Sequence, residues 1–175
     1  EVQREEYTDA SGKRRKDFPQ RRPDPDAPGR YAYKLGDVRR VPYRLPALLA
    51  AVKRDERVVV VEGEKDADNG VQVGLETTCN PGGAGKWRPE YNGYFSGAEV
   101  LIIPDRDPDE KNGMPHRKGQ QHAAAVAKHL SGVAKSVVVL ELPERDGHAV
   151  KDLTDWLQAG GTPEELDEMV SATGI

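Results

Sequence analysis

Val58-Val-Val-Val-Glu62-Gly-Glu-Lys-Asp66 is the stretch on which the fold turns. Four consecutive β-branched residues are the pattern of a strand buried on both faces, since a strand with one wet face alternates apolar and polar. The run stops at Glu62-Gly63, and Lys65 to Val73 reads as a helix that ends near Gly74. Working outward, Leu75 to Cys79 is a second short strand and Asn80-Pro-Gly-Gly-Ala-Gly85 a glycine-rich loop. Val100-Leu-Ile-Ile103 is a third strand, and Ser136-Val-Val-Val-Leu140 a fourth. Between these two lies a helix, Lys118 to Leu130, with Ala123, Val126, Ala127 and Leu130 on one face. Asp152 to Gln158 and Pro163 to Ser171 read as closing helices, the latter opened by a capping box of Thr162 and Glu165. Short apolar strands alternating with helices imply right-handed crossovers and a parallel sheet, so the expected class is α/β, Rossmann-like. No internal repeat is apparent.

The front of the chain has another character. Residues 3–8 and 13–19 flank Asp9-Ala-Ser-Gly12 as a polar β-hairpin would. Residues 20–30 hold Pro23, Pro25, Pro28 and Gly29 and read as loop, Tyr31 to Lys34 as a short strand, and Leu45 to Lys53 as a helix with Pro46 in its first turn. Residues 1–57 carry 15 Lys/Arg against 10 Asp/Glu, whereas residues 58–175 carry 11 against 20. The expected organisation is a small, basic, β-rich N-terminal subdomain over 1–56 and an α/β domain with C-terminal helices over 57–175. A basic segment joined to an acidic one suggests a phosphate-binding arm beside a cation-binding site, with a solvated loop as the bland alternative.

Composition bounds the rest. In 175 residues, 32% are charged and 36% hydrophobic, and mean hydropathy is −0.75. That describes a polar, soluble chain of one ordinary domain plus an appendage. No apolar run reaches the ~18–20 residues of a membrane helix and no signal peptide is visible, so no membrane partner is expected. The lone Cys79 excludes an internal disulfide framework or a cysteine-rich zinc ribbon and suits a cytoplasmic setting. The chain starts with Glu1, which suggests a fragment of something longer.

Ligands of open α/β sheets bind beyond the carboxyl ends of the strands. Glu62 directly follows the first strand, Asp105 and Asp107 follow the third, and Asp152 and Asp155 come a loop after the fourth. The period-2 spacing of Asp105-Arg-Asp107 aims both carboxylates one way if the chain is extended there. Converging carboxylates raise one another's pKa unless a cation intervenes, and Mg²⁺ or Mn²⁺ are the hard ions that prefer such oxygen ligands. Any single acid after a strand is more often a solvated loop residue; the ordered set is what carries weight.

That set, Val58-Val-Val-Val-Glu62-Gly-Glu-Lys-Asp66 with Leu101-Ile-Ile-Pro-Asp105-Arg-Asp107, resembles the TOPRIM domain of primases, type IA and II topoisomerases, OLD-family nucleases and RecR-like proteins. The resemblance covers roughly residues 57–157. It implies acid/base or metal-binding work for Glu62, divalent metal on Asp105 and Asp107, and a primase-like outer acid at Asp66. Lys151-Asp152-Leu-Thr-Asp155-Trp-Leu157 is similar to the Lys-Asp-x-Asn-Asp/Glu segment of phage primase-helicases, with Thr154 in place of Asn. The implied function is the catalytic core of a phage- or plasmid-type DNA primase. Its expected catalytic residues are Glu62, Asp105 and Asp107, with Asp66, Asp152 and Asp155 completing the metal-binding acids. The expected partners are single-stranded DNA template and NTPs, with a zinc-binding module and a helicase in the parent chain or as partners. A TOPRIM nuclease and a non-catalytic RecR-like binding module are the alternatives. The resemblance places a template-guiding basic subdomain in front, which here would use Arg14, Arg15, Arg21, Arg22, Arg39 and Arg40.

Other features are read more plainly. Gly82-Gly-Ala-Gly-Lys86 is not a P-loop, because Trp87 stands where Ser or Thr should bind Mg²⁺ and the first glycine is misplaced. A turn presenting N–H groups or Lys86 to a phosphate is the better reading. Trp87, between Lys86 and Arg88, is a candidate for stacking on a base, with all three as nucleotide or nucleic-acid contacts. Trp156 belongs to an apolar pattern with Leu153 and Leu157 and reads as core. His116, His122, His129 and His148 lack metal-ligand spacing and read as ordinary histidines, Cys79 as a small buried hydrophobe. Tyr91 and Tyr94 are not read as topoisomerase nucleophiles, since those lie in a separate domain. The insertion Pro108 to Lys118 reads as surface decoration, with Asp109 or His116 as possible additions to the site.

Overall fold

The computed structural model describes residues 5–17, 19–33, 36–107, 110–111, 114–115, 117–145, 147 and 149–174. The candidates Asp109, His116 and His148 lie outside them. The chain divides into two compact units, Glu1–Arg40 and Val41–Ile175.

In the first unit, β1 (Glu5–Thr8) and β2 (Arg14–Asp17) form an antiparallel hairpin in which Tyr7 faces Arg15. Its turn is built by Asp9, whose Oδ1 accepts the N–H groups of Ser11 and Lys13 at 2.9 and 3.1 Å. A second ladder pairs β3 (Arg22–Pro23) with β4 (Tyr31–Ala32). The β3 segment falls in the proline-rich stretch that reads as loop in the sequence. No described hydrophobic side chain of this unit is buried.

The second unit starts earlier than the sequence implies, because α1 (Leu45–Lys53) packs beside the sheet through the buried Leu48 and Ala51. There follow β5 (Val58–Val60), α2 (Glu64–Gln72), β6 (Glu76–Thr78), a 3₁₀ turn over Pro89–Phe95, β7 (Glu99–Ile102), and a short hairpin of β8 (Glu110–Lys111) and β9 (Met114–Pro115). Then come α3 (Lys118–Leu130), β10 (Ser136–Val139), α4 (Leu153–Gln158) and α5 (Pro163–Ala172). The Thr162–Glu165 capping box opens α5 as its sequence implies.

The sheet has four parallel strands in the order β10-β7-β5-β6. Strand β5 lies inside it, and Val58 to Val61 are each at most 3% exposed. Their side chains alternate between two cores, as a strand requires. Val59 and Val61 join Leu101, Leu153, Trp156 and Leu166 on one face. Val58 and Val60 join Leu48, Phe95, Val126 and Leu130 on the other. Each buried valine contributes about 1.5–3 kcal/mol of apolar transfer, so the run that identifies the strand also anchors it. From β5 the chain crosses to β6 on one side and returns to β7 on the other. The direction of winding therefore reverses between β5 and β7, and there the loops diverge into a crevice. Among the described residues, no helix is long and apolar enough to cross a membrane.

Candidate active site

The carboxyl ends of β5 and β7 deliver the acids to that crevice. The Val61 N–H donates to the Thr78 carbonyl (3.0 Å) and the Ile103 N–H to the Val60 carbonyl (2.9 Å). The ladder thus continues one residue past each strand and releases the chain just before Glu62 and Pro104. Burial pushes the Glu62 carboxyl up to about 7, and the charges of Asp105 and Asp107 push the same way. Lys151 and the backbone N–H of Ala84 favour its ionised form. Asp105 is also raised, by burial first, with Lys151 opposing.

Gly119, in the first turn of α3, sets the geometry around Asp105-Arg-Asp107. Its N–H donates to Asp107 Oδ2 at 2.8 Å. A Cβ on Gly119 would lie 2.3 Å from the Asp105 carbonyl oxygen, so only glycine lets the helix come this close. The Arg106 N–H donates to the Lys151 carbonyl at 2.6 Å, tying the same loop to the segment before α4.

Lys151 is the cation within the acidic group. Its Nζ donates to Asp105 Oδ2 at 3.3 Å and Asp152 Oδ2 at 3.4 Å. Burial pulls its pKa down, but these two carboxylates outweigh that and hold it above the usual lysine range. Asp152 also caps α4, its Oδ1 accepting the Asp155 N–H at 2.9 Å, while Asp155 Oδ2 accepts the Lys151 N–H at 3.3 Å. Asp66 is 8% exposed and is held by Thr154, whose hydroxyl and N–H both donate to Oδ1. Asn69 Nδ2 in turn donates to Thr154 Oγ1 at 2.8 Å. Burial raises the Asp66 pKa, with Asp152 adding to it and Thr154 opposing.

The six expected metal acids are chained together rather than gathered at one point. The charges of Asp105 and Asp107 act on Glu62, those of Asp66 and Asp152 act on Asp105, and Lys151 bridges Asp105 to Asp152. Asp155 is tied to this chain through the N–H it donates to Asp152 and the Lys151 N–H it accepts. The donor chemistry, all carboxylate oxygen with a destabilised charge on Glu62, suits a hard divalent ion. Among the described residues, no three such side chains are placed to hold one ion between them.

The glycine-rich turn flanks Glu62. Lys86 is exposed at its end. Trp87 instead packs on the second core, edge-on to Tyr91 at 5.6 Å and tilted on Phe95 at 5.5 Å, and its Nε1 donates to Asn92 Oδ1 at 3.0 Å. Arg88 pairs with Glu90 at 3.6 Å. Tyr91, Cys79 and Trp156 are each 1% exposed. Burial pushes the Cys79 thiol up to about 12, as an inert core cysteine requires. In the first unit Arg14 pairs with Glu6 at 3.5 Å, Arg15 with Asp9 at 2.7 Å, and Arg21 stacks over Tyr31 at 4.0 Å. Arg39 and Arg40 are exposed.

Reading the sequence missed the electrostatic role of Lys151, the close approach of Gly119 and the clasp of Thr154 on Asp66. Of these, Gly119 alone leaves a local trace, a glycine in the first turn of a helix. Comparison with protein-family models, curated proteins and solved structures gave no match.

Proposed function

We propose that this chain is the TOPRIM-type catalytic core of a DNA primase, performing metal-dependent nucleotidyl transfer in primer synthesis on single-stranded DNA. One observation carries the reading: at the reversal point of a parallel sheet stands a carboxyl raised to about 7 by burial and by two neighbouring aspartates. A group poised there accepts a proton at neutral pH far better than an ordinary glutamate.

The reaction joins the 3′-hydroxyl of one nucleotide to the α-phosphate of the next and releases pyrophosphate. The Glu62 carboxylate takes the hydroxyl proton. Lys151 holds a positive charge beside Asp105, and Lys86 offers a second cation at the rim of the turn. As they stand, Glu62, Asp105 and Asp107 do not surround one ion, and Mg²⁺ or Mn²⁺ would have to draw their carboxylates together. When bound, such an ion supplies charge neutralisation for the triphosphate.

The test is a product gel with labelled single-stranded DNA, four NTPs and Mn²⁺, wild type beside Glu62→Gln. New short oligonucleotides with wild type, reduced at least about a hundredfold by the substitution, are expected. Shortened input DNA that the variant leaves intact would replace the reading with a nuclease. No product from either would return the chain to a binding module.

A further inference from the structure

We propose that His122 is a positioning residue: it clamps the glycine-rich turn Asn80–Lys86 where the turn's backbone supports Glu62. The inference rests on Glu62 being the proton-accepting group.

His122 lies in the second turn of α3 and is 7% exposed. Both ring nitrogens are engaged, at opposite ends of the same turn. Nδ1 is 3.1 Å from the Gly85 nitrogen and accepts its N–H. That leaves the ring proton on Nε2, which donates to Asn80 Oδ1 at 2.9 Å. Asn80, 1% exposed, passes the restraint on through Nδ2, which donates to the Gly83 carbonyl at 2.8 Å. One imidazole thereby fixes residues 80 and 85 directly and residue 83 through Asn80. Between the last two sits Ala84, whose N–H favours the ionised form of Glu62. Glu62 and His122 also line one small cleft with Val60, Ile103 and Gly119.

The turn needs such a clamp. Gly82, Gly83 and Gly85 all have left-handed backbone, with φ of 87°, 72° and 75°. They permit the shape, but they lose more conformational freedom on ordering than any other residue and offer no side chains to pack. Restraint has to come from outside the glycines, and Asn80 and His122 supply it. Burial lowers the His122 pKa and keeps the ring neutral, as its accepting nitrogen requires.

The test uses His122→Phe and His122→Asn in the full chain. Phenylalanine keeps an aromatic ring in the core and loses both bonds. Asparagine carries a carbonyl oxygen near the position of Nδ1 and keeps an acceptor for Gly85. Amide hydrogen exchange is read at Ala84 and Gly85, and the rate of primer synthesis is followed against NTP concentration. In the phenylalanine variant, exchange at both amides rises about tenfold, and kcat falls about tenfold with KM within about twofold. The asparagine variant stays closer to wild type in both readouts. The proposal is overturned if Ala84 and Gly85 exchange alike in wild type and the phenylalanine variant, or if the turn loosens while kcat holds. Should His122→Phe fail to fold, Asn80→Ala removes the opposite partner and is judged by the same criteria. If wild type makes no primer, the primase reading fails, and the exchange data alone uphold or overturn the clamp.

Discussion

Glu62 illustrates how a single carboxyl links stability to chemistry. Its pKa stands at about 7, against 4.5 for an ordinary glutamate. Between those values the folded protein binds a proton that the unfolded chain releases. The stability Glu62 contributes is therefore present below about pH 4.5 and is lost as pH rises through 7. Glu62→Gln removes that loss. Urea denaturation should find the variant more stable than wild type at pH 8, by on the order of 1–3 kcal/mol, and the difference shrinking at pH 5. Adding Mn²⁺ at pH 8 should stabilise wild type more than the variant. With Glu62 as the proposed proton acceptor, activity has the opposite sense: the rate should rise with pH as the carboxyl ionises, and since bound Mn²⁺ favours the carboxylate it should level off below about pH 7. Glu62 itself is legible in the sequence because it abuts the Val58–Val61 run. That neighbouring acids would raise its pKa is legible too, from Asp105-Arg-Asp107 after another strand; the larger cause, burial of the carboxyl, is not, since it depends on the tertiary packing around the crevice.

Secondary elements were legible where the signal is local. Helices α1 and α3 have the bounds that their apolar spacing predicts, and the capping box of α5 is written in two residues. The 3₁₀ turn over Pro89–Phe95 was missed because its order comes from Tyr91 and Phe95 packing into the interior, which no neighbour in sequence reveals. Strand β4 falls within the Tyr31 to Lys34 strand that the sequence implies, whereas the prolines hid β3, and strand order was hidden by its dependence on long-range pairing. Two helix contacts show how finely the elements are fitted. A Cβ on Gly119 would strike the Asp105 carbonyl at 2.3 Å, and one on Gly161 would meet the buried Trp156 ring at the same distance. Both Gly→Ala changes should lower stability by about 1–3 kcal/mol, measured by thermal or urea denaturation. Their effects on catalysis should part company. Gly119→Ala moves the backbone that bears Asp105 and should lose most activity even in the folded fraction. Gly161→Ala strains α4 from beneath and should spare most of it. Equal losses of activity would mean that Gly119 matters only for packing.

For the molecule as a whole, the uneven distribution of core makes the sharpest prediction. All the described buried hydrophobic side chains lie from Leu48 onward, and all but Tyr91 belong to the two cores on either face of one sheet. Residues 41–175 therefore own a complete two-sided core and should unfold in one cooperative transition when expressed alone. Residues 1–40 offer hairpins whose stability rests on turns and exposed ion pairs, and alone they should show no cooperative transition. Their contribution is expected in binding. Exposed pairs such as Arg14–Glu6 and Arg15–Asp9 are worth little in water, so their arginines can be given over to phosphates at small cost. Under the proposed function, the exposed Tyr7 and Tyr33 would offer rings on which bases could stack, while Arg21 already covers one face of Tyr31. Single-strand binding should thus weaken on removal of residues 1–40, and its salt dependence should flatten by roughly 0.7 in log–log slope for each phosphate that is no longer neutralised. Titrating a fluorescent oligonucleotide at several salt concentrations measures both. An unchanged slope would move the template path off this unit and onto Lys86 and the rim of the sheet. A slope reduced by several such steps would assign residues 1–40 to the template and leave the crevice between β5 and β7 to the chemistry.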